Sequence, residues 1–444
     1  VPAGWPERVG ARGLILAAPA SGSGKTTLTL GLLAAYRAAG RAVAGAKAGP
    51  DYIDPPFHAA ASGRPALNLD VWGMPPALLA ALAGQAAAEA ELLLIEGVMG
   101  LFDGPPGGGG ATADLAAALD LPVVLVLDVA KQAQSAAALV RGFRDHRPDL
   151  RLAGLLCNRV GGPGHRRLLA EALAPLGLPV LGYLSRDPAL ALPERHLGLV
   201  QAGEHAGLAG FLAGAARQVA AEVDLARLAD LAVPLPAQSV VEEGTPAALA
   251  PLGQRMAGAC DAAFAFAYPH LLDGWRARGA EILPFSPLAD EAPAFAADAV
   301  FLPGGYPELH AGRLAGNLEF LDGLRRAAAR GAVIYGECGG YMVLGEGLED
   351  GAGRRHAMAG LLPLESSFTT RRLHLGYRAV TTLQPGPWGP GGVSLRGHEF
   401  HYATVLREGA APRLFAARDA GGRDLGAVGL TAGRVAGSFL HLIA

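Results

Sequence analysis

A strand-like run, Leu14 to Ala18, passes into Ser21-Gly22-Ser23-Gly24-Lys25-Thr26-Thr27 and then into an alanine- and leucine-rich helical stretch. A glycine-rich turn between a strand and a helix commits the chain to an open α/β sheet that binds its ligand beyond the carboxyl ends of the strands. Gly22 and Gly24 let consecutive backbone N–H groups, from Ser23 to Thr27, turn toward phosphate oxygens. The helix N-terminus adds its positive end, and Lys25 reaches the β- and γ-phosphates. Thr26 is the residue type that ligates Mg²⁺ at this position. The segment departs from the strict pattern in one place, with Pro19 standing where a glycine is expected five positions before Gly24. The rival reading, an ordinary Ser/Gly turn, is the weaker one for Gly-Lys-Thr-Thr between strand and helix.

The rest of the N-terminal half fits that architecture. Gly13 to Ala18, Glu91 to Ile95, Pro122 to Leu127 and Leu152 to Cys157 read as buried strands, and Thr26 to Ala39, Pro75 to Ala90, Ala130 to Phe143 and His165 to Leu176 as helices between them. The alternation dissolves over residues 234–254, where proline, glycine and acidic residues predict a linker. This predicts domains over residues 1–233 and 255–444 of a 444-residue chain, which is more than one hydrophobic core usually supports. A second series follows, with strands expected at Ala262 to Ala267, Glu281 to Phe285, Ala299 to Leu302 and Ala332 to Tyr335, and a helix at Leu314 to Arg330. The fold class expected is α/β, with two doubly wound domains, the first built on a mostly parallel sheet.

Composition excludes several partners. A net charge of -3 leaves no overall basic field for nucleic acid or an anionic membrane. The three cysteines, Cys157, Cys260 and Cys338, are odd in number and too dispersed for a zinc pattern, which fits a reducing compartment. Cys157 and Cys260 sit in apolar surroundings and read as core residues. Val1 to Arg12 lacks the layout of a secretion signal, and no apolar run approaches the ~20 residues that cross a bilayer. A soluble, cytoplasmic protein with no nucleic-acid or membrane partner is expected.

Carboxylates at strand ends are candidates to complete a Mg²⁺ site, because that ion takes oxygen ligands from a few side chains plus phosphate. Glu96 ends one strand and is followed by a loop, Gly97 to Gly104, that contains Asp103. Lys47-Ala48-Gly49-Pro50-Asp51-Tyr52-Ile53-Asp54-Pro55 places a lysine and two carboxylates in another loop. Each acid alone reads as a solvated charge or a helix cap; their clustering at one sheet edge favours a site. Asn158 closes a strand and reads equally as an adenine contact or a turn residue.

In the second half, Gly331 to Met342 moves from strand through Gly336-Glu337-Cys338-Gly339-Gly340 into a helix. That layout presents a cysteine nucleophile on a sharp turn, with a helix N-terminus that favours thiolate. Backbone N–H groups of Gly304, Gly305 and Gly339 are candidates for an oxyanion site. His441, in Gly437-Ser438-Phe439-Leu440-His441, is the candidate base. Taken singly, the cysteine reads as a buried thiol and the histidine as a packed ring; the glycine-flanked context and the need of a thiol for a base join them.

Together these residues resemble the cobyrinic or hydrogenobyrinic acid a,c-diamide synthases of cobalamin biosynthesis. The resemblance covers nearly the whole chain. It is carried by the Ser21 to Thr27 loop, Lys47 to Pro55, Glu96 to Gly104, Pro193-Glu194-Arg195-His196-Leu197-Gly198-Leu199, Phe285 to Leu288, Pro303 to Glu308, Gly336 to Gly340 and Gly397-His398-Glu399-Phe400-His401-Tyr402. It implies an N-terminal P-loop NTPase domain similar to dethiobiotin synthetase and a C-terminal class I glutamine amidotransferase domain. It also implies ATP, Mg²⁺ and glutamine as requirements. The partners expected are a corrinoid tetracarboxylate, whose c and then a acetates become amides, and a second copy of the chain in a homodimer. Carried over by position, the resemblance puts Lys25 and Lys47 near phosphates and Thr26, Asp51 and Glu96 around Mg²⁺. It puts Asp54 and Asp103 near the carboxylate being activated, with Cys338 as nucleophile and His441 as base. One departure concerns the acid that orients the base. Amidotransferases of this class often carry glutamate two residues beyond the histidine, where this chain has Ile443, and Glu399 is the alternative considered.

The expected chemistry is formation of an acyl phosphate from ATP, release of ammonia from glutamine through a Cys338 thioester, and amide formation with loss of phosphate. Two rivals remain. One is a sister amidase acting on nickel-sirohydrochlorin or on cobyric acid precursors. The other is a P-loop ATPase switch with an inactive amidotransferase appendage, although such switches carry a signature lysine early in the loop, where Ala20 stands.

Overall fold

A computed structural model describes residues 10–190, 192, 194–195, 198–235 and 249–444. Residues 1–9, most of the expected linker and most of the Pro193 to Leu199 motif lie outside them. Of that motif only the strand pair Glu194–Arg195 with Gly198–Leu199 is described. The chain forms two compact units that divide near residue 246. Among the described residues no helix is long and apolar enough to cross a membrane.

The first unit is built on seven parallel strands, β1 (Arg12–Ala17), β2 (Val43–Ala48), β3 (Leu67–Leu69), β4 (Leu92–Glu96), β5 (Val123–Asp128), β6 (Leu152–Val160) and β7 (Val180–Ser185). Their order is β3-β2-β4-β1-β5-β6-β7, with Val233–Pro234 added antiparallel beside β1. The central strands are buried along nearly their whole length, as continuous Val/Ile/Leu runs covered on both faces require. Two features position the site. β1 lies at mid-sheet and feeds helix α1 (Lys25–Ala38) through the glycine-rich turn. The register of β2 on β4 sets Lys47 directly opposite Glu96. Lys47 therefore belongs to a strand, where its alternation places it among buried residues, and not to the loop expected from its neighbours. The helix expected at Ala130 to Phe143 begins later, at Ser135.

The second unit carries five parallel strands in the order Glu281–Phe285, Arg255–Ala259, Ala299–Leu302, Val333–Glu337 and Val435–Ser438. The sheet continues antiparallel through Asp424–Ala432, Arg413–Asp419, His374–Thr382, Ser394–His401 and Leu440–Leu442. Two neighbouring stretches of the final segment thus pair at different places in one sheet.

Three expectations need correction here. Ala262 to Ala267 is not a strand; the first strand is Arg255–Ala259. Asp261 explains the difference, since its side chain accepts from the backbone N–H of Ala263 and Leu288 and so holds the apolar run in a turn. Cys260, at the end of that first strand, is exposed and is not a core residue. The helix expected at Leu314 to Arg330 is broken at Asn317 into Ala311–Gly316 and Leu318–Ala329, and the Asn317 side chain donates to the Pro287 carbonyl at 2.7 Å.

Candidate functional site

In the first unit the glycine-rich turn has the shape that backbone phosphate binding needs. Gly22 and Gly24 have φ of 78° and 86°, a region closed to most side chains. Gly24 is required on a second count, because a β-carbon there would lie 2.3 Å from Asn158 Nδ2. That amide donates to the Ser23 carbonyl at 2.9 Å, so Asn158 braces the turn itself. The Ser23 hydroxyl donates to the Ala20 carbonyl at 2.9 Å, and Lys25 Nζ to the Met99 carbonyl at 2.6 Å. Burial, and then the nearby Lys47 charge, lower Lys25 to about 8.

Beyond the turn, three polar side chains converge on Glu96, which is fully buried. Its Oε1 accepts from the Thr26 hydroxyl at 2.6 Å and from Lys47 Nζ at 2.8 Å, and its Oε2 meets His58 Nε2 at 2.7 Å. Lys47 also donates to Asp54 Oδ2 at 2.5 Å and lies 3.9 Å from Asp51 Oδ2. Burial alone would raise Glu96, but Lys47 and His58 outweigh it and hold the carboxyl ionised. Burial first, and the Asp51 charge second, push Asp54 upward. Burial would lower Lys47, yet Asp54 and Glu96 keep it charged. An ammonium held between two carboxylates marks a place where positive charge is stabilised. The oxygen donors of Thr26, Asp54 and Glu96 fit a hard cation such as Mg²⁺.

Asp51 is turned partly to another task, with its Oδ1 accepting from the N–H groups of Ile53 and Asp54 at the start of the helix Asp54–Ser62. Asp103 accepts from Gly100 N–H at 3.0 Å and shapes its own loop, within electrostatic reach of Lys25. Thr27 lies in the first turn of α1. His58 was missed by sequence reasoning. The available signal was its spacing, since Asp54 and His58 are four residues apart and share one helix face.

In the second unit Cys338 ends the central strand with φ 48° and ψ −104°, strained for a residue with a β-carbon, and opens the helix Gly339–Leu344. Its sulfur is buried, at 2% exposure, and burial pushes the thiol well above the usual range, although the Gly339 N–H acts in the opposite direction. Burial therefore opposes the thiolate that the helix N-terminus favours. The His441 ring lies alongside. A β-carbon placed on Gly304 would sit 2.3 Å from His441 Cε1, 3.0 Å from its Nε2 and 3.2 Å from Cys338 Cβ. One on Gly339 would sit 3.1 Å from Gly305 N, so the three glycines and the two reactive side chains share one small space. Burial, and then His398 and His401, lower His441 to about 3, and the Phe266 backbone hydrogen-bonds to the same ring.

Glu399 does not reach His441 as its partner acid. It is held by Arg378 at 2.6 Å and by His401 Nε2 at 3.0 Å. His374, Glu399 and His401 bring three ligand-type atoms together, but the two imidazoles are stacked nearly parallel and Arg378 already neutralises the carboxylate. Cys157 is a core thiol as read, with burial raising it to about 12.

Residues 14–200 match the model of the CobQ/CobB/MinD/ParA nucleotide binding domain, and residues 255–444 that of the CobB/CobQ-like glutamine amidotransferase domain. The chain is 57% identical over 433 residues to the hydrogenobyrinate a,c-diamide synthase of Brucella suis biovar 1 (strain 1330), covering 97% of this chain and 98% of that protein. It is 56% identical over 436 residues to the enzyme of that name from Rhizobium meliloti (strain 1021), covering 97% and 99%. Against the one from Mesorhizobium japonicum (strain LMG 29417 / CECT 9101 / MAFF 303099), identity is 51% over 437 residues, covering 98% and 99%.

Proposed function

The chain belongs to the hydrogenobyrinate a,c-diamide synthase family, and we propose that it amidates the c and a acetate groups of hydrogenobyrinic acid with ATP and glutamine, in the cytoplasm. The observation that carries the reading is the presence of two separate reactive centres in one chain. One is a phosphate loop facing a lysine-carboxylate cluster; the other is a strained cysteine beside an imidazole. Three unpaired thiols and the use of ATP support a cytoplasmic setting.

A carboxylate resists ammonia because its leaving group would be oxide. Phosphorylation by ATP replaces that oxide with phosphate. Backbone N–H groups from Gly22 to Thr27 hold the nucleotide phosphates, and Lys25, only modestly basic after burial, follows the transferring group. Thr26, Glu96 and Asp54 or Asp51 would hold Mg²⁺, which supplies charge neutralisation on the phosphates. Lys47 keeps Asp54 and Glu96 within reach of one another at 2.5 and 2.8 Å. Asp103 and Asp54 lie where the acetate to be activated is oriented, and Asn158 keeps the loop in its binding shape.

At the other centre the Cys338 sulfur attacks the glutamine amide carbon and its proton passes to His441. The developing oxyanion meets N–H groups of Gly304, Gly305 and Gly339. His441 returns the proton to the departing nitrogen, ammonia leaves, and water resolves the thioester to glutamate. Ammonia then displaces phosphate from the activated acetate. Cys338→Ala tests the division of labour: glutamine-dependent amidation is lost and ammonia-dependent amidation at high pH remains. Loss of both in a folded variant refutes it. Lys25→Ala is expected to lose both activities at unchanged melting temperature, so an active variant refutes the phosphate-loop assignment.

A further inference from the structure

We propose that Glu337, the residue just before the nucleophile, is the acid that positions His441 during glutamine hydrolysis; the inference rests on the glutaminase reading of Cys338. Glu337 ends the strand Val333–Glu337 and is buried, at 2% exposure. Its Oε1 accepts from Leu442 N–H at 3.0 Å, so the carboxyl grips the backbone one residue beyond the imidazole. Its Oε2 lies 3.9 Å from His441 Nδ1. The ring's Cε1 and Nε2 flank Gly304 together with Cys338. Carboxylate, imidazole and thiol therefore stand in the order that acyl-transfer sites use: an acid on Nδ1 and a nucleophile toward Nε2.

Two other positions for the acid are accounted for. Glu399 is bound to Arg378 and His401, and residue 443, where a glutamate two beyond the histidine would stand, is a fully buried isoleucine. The parallel strands Val333–Glu337 and Val435–Ser438 are in register at Glu337 and Ser438, which carries the chain around to His441 at the level of the acid. The same function is thus reached from the strand on the nucleophile side instead of from the strand that bears the base.

In the reaction the Cys338 S–H bond breaks as the sulfur–carbon bond forms, and the proton moves to Nε2. The carbonyl electron pair moves to the oxyanion. Glu337, ionised once the pH passes about 8, accepts the Nδ1–H, which keeps the Nε2 lone pair toward sulfur before the step and stabilises the imidazolium after it. Collapse of the oxyanion breaks the carbon–nitrogen bond, and the Nε2 proton leaves with ammonia. Burial acts against each charge taken singly, raising Glu337 to about 8 and lowering His441 to about 3, whereas a facing pair of opposite charges relieves both penalties. The present 3.9 Å separation is longer than a hydrogen bond, and catalytic contacts of this kind tighten when substrate binds.

The test is Glu337→Gln in the full chain. The amide oxygen still accepts from Leu442 N–H, so the backbone brace survives while the negative charge that faces His441, and that the Tyr335 side chain also hydrogen-bonds, is removed. Above about pH 8, where Glu337 is ionised, glutamate release with ATP, Mg²⁺ and corrinoid is expected to lose about 10²- to 10⁴-fold in kcat, with KM for glutamine within about threefold and ammonia-dependent amidation unchanged. An unchanged kcat, or a loss confined to KM, overturns the proposal. If the variant does not fold, ¹⁵N NMR of histidine-labelled wild-type protein above pH 8, with His441→Asn to assign the signal, decides. Protonation of His441 at Nδ1 supports the proposal and protonation at Nε2 overturns it. Glutaminase activity surviving in Cys338→Ala would instead defeat the reading on which the inference rests.

Discussion

Gly304→Ala is a small change with a large predicted consequence. The added carbon would lie 2.3 Å from His441 Cε1 and 3.0 Å from Nε2, where ordinary contact begins near 3.4 Å. The ring must therefore retreat by about 1 Å (3.4 − 2.3 = 1.1 Å). Retreat is obstructed because His441 is fully buried, and the added carbon cannot give way instead because Cys338 Cβ lies 3.2 Å from it. A misplacement of about 1 Å at a proton-transfer group costs roughly 10²-fold in rate, or about 3 kcal/mol of barrier. Overpacking of this kind costs about 1–3 kcal/mol of stability, which for a unit of this size lowers Tm by roughly 2–12 °C. The measurement pairs glutamate release with ammonia-dependent amidation in the same preparation. Glutamine-dependent turnover is expected to fall by roughly 10²-fold while ammonia-dependent turnover stays within about twofold. Wild-type glutaminase kcat in a folded Gly304→Ala protein would show that His441 does not work from its observed position, and would remove the base from the mechanism.

Other expectations follow from the same contacts. Lys47→Met strips the buried carboxylates of Asp54 and Glu96 of their main counter-charge and is expected to destabilise the first unit by about 3–5 kcal/mol. Millimolar Mg²⁺ should restore more Tm in this variant than in wild type, and a Tm within 1 °C or so of wild type without Mg²⁺ would refute the pairing. Glu337 is raised in the folded state from 4.5 to about 8, so the folded chain holds a proton that the unfolded chain has released. Its contribution to stability is full below about 4.5 and is lost as pH rises to about 8. Glu337→Gln, which cannot ionise, should therefore gain Tm relative to wild type across that interval, and a pH-independent difference would refute the shift. His58→Ala removes the partner of Glu96 Oε2 and is expected to raise KM for MgATP several-fold without changing glutaminase activity measured alone; an unchanged KM would place His58 outside the nucleotide site.

Much of both centres was legible in the residues. The Ser21 to Thr27 turn could be read because phosphate binding by backbone N–H groups demands glycine at fixed spacing, and Cys338 because a nucleophile on a tight turn demands small neighbours. Four of the seven parallel strands of the first unit were legible because strands covered on both faces are continuously apolar. The antiparallel half of the second sheet was not, since its half-exposed strands carry mixed residues such as those of His374–Thr382 and Asp424–Ala432, whose periodicity is weak. Ala262 to Ala267 misled for the opposite reason: its apolar content mimics a strand, while a single aspartate at 261 holds it in a turn.

What the sequence determined by itself was chemistry that is local along the chain: which residues have the pattern of a phosphate loop, which thiol is the candidate nucleophile, and that two α/β units carry them. Which acids serve which centre was decided by tertiary structure. Lys47 meets Glu96 through the register of two neighbouring strands, and Glu337 meets His441 across 104 positions through a sheet whose last segment pairs in two places. A charge–charge contact falls off over a few ångströms, whereas spacing along a chain says nothing about distance once the chain has crossed a sheet.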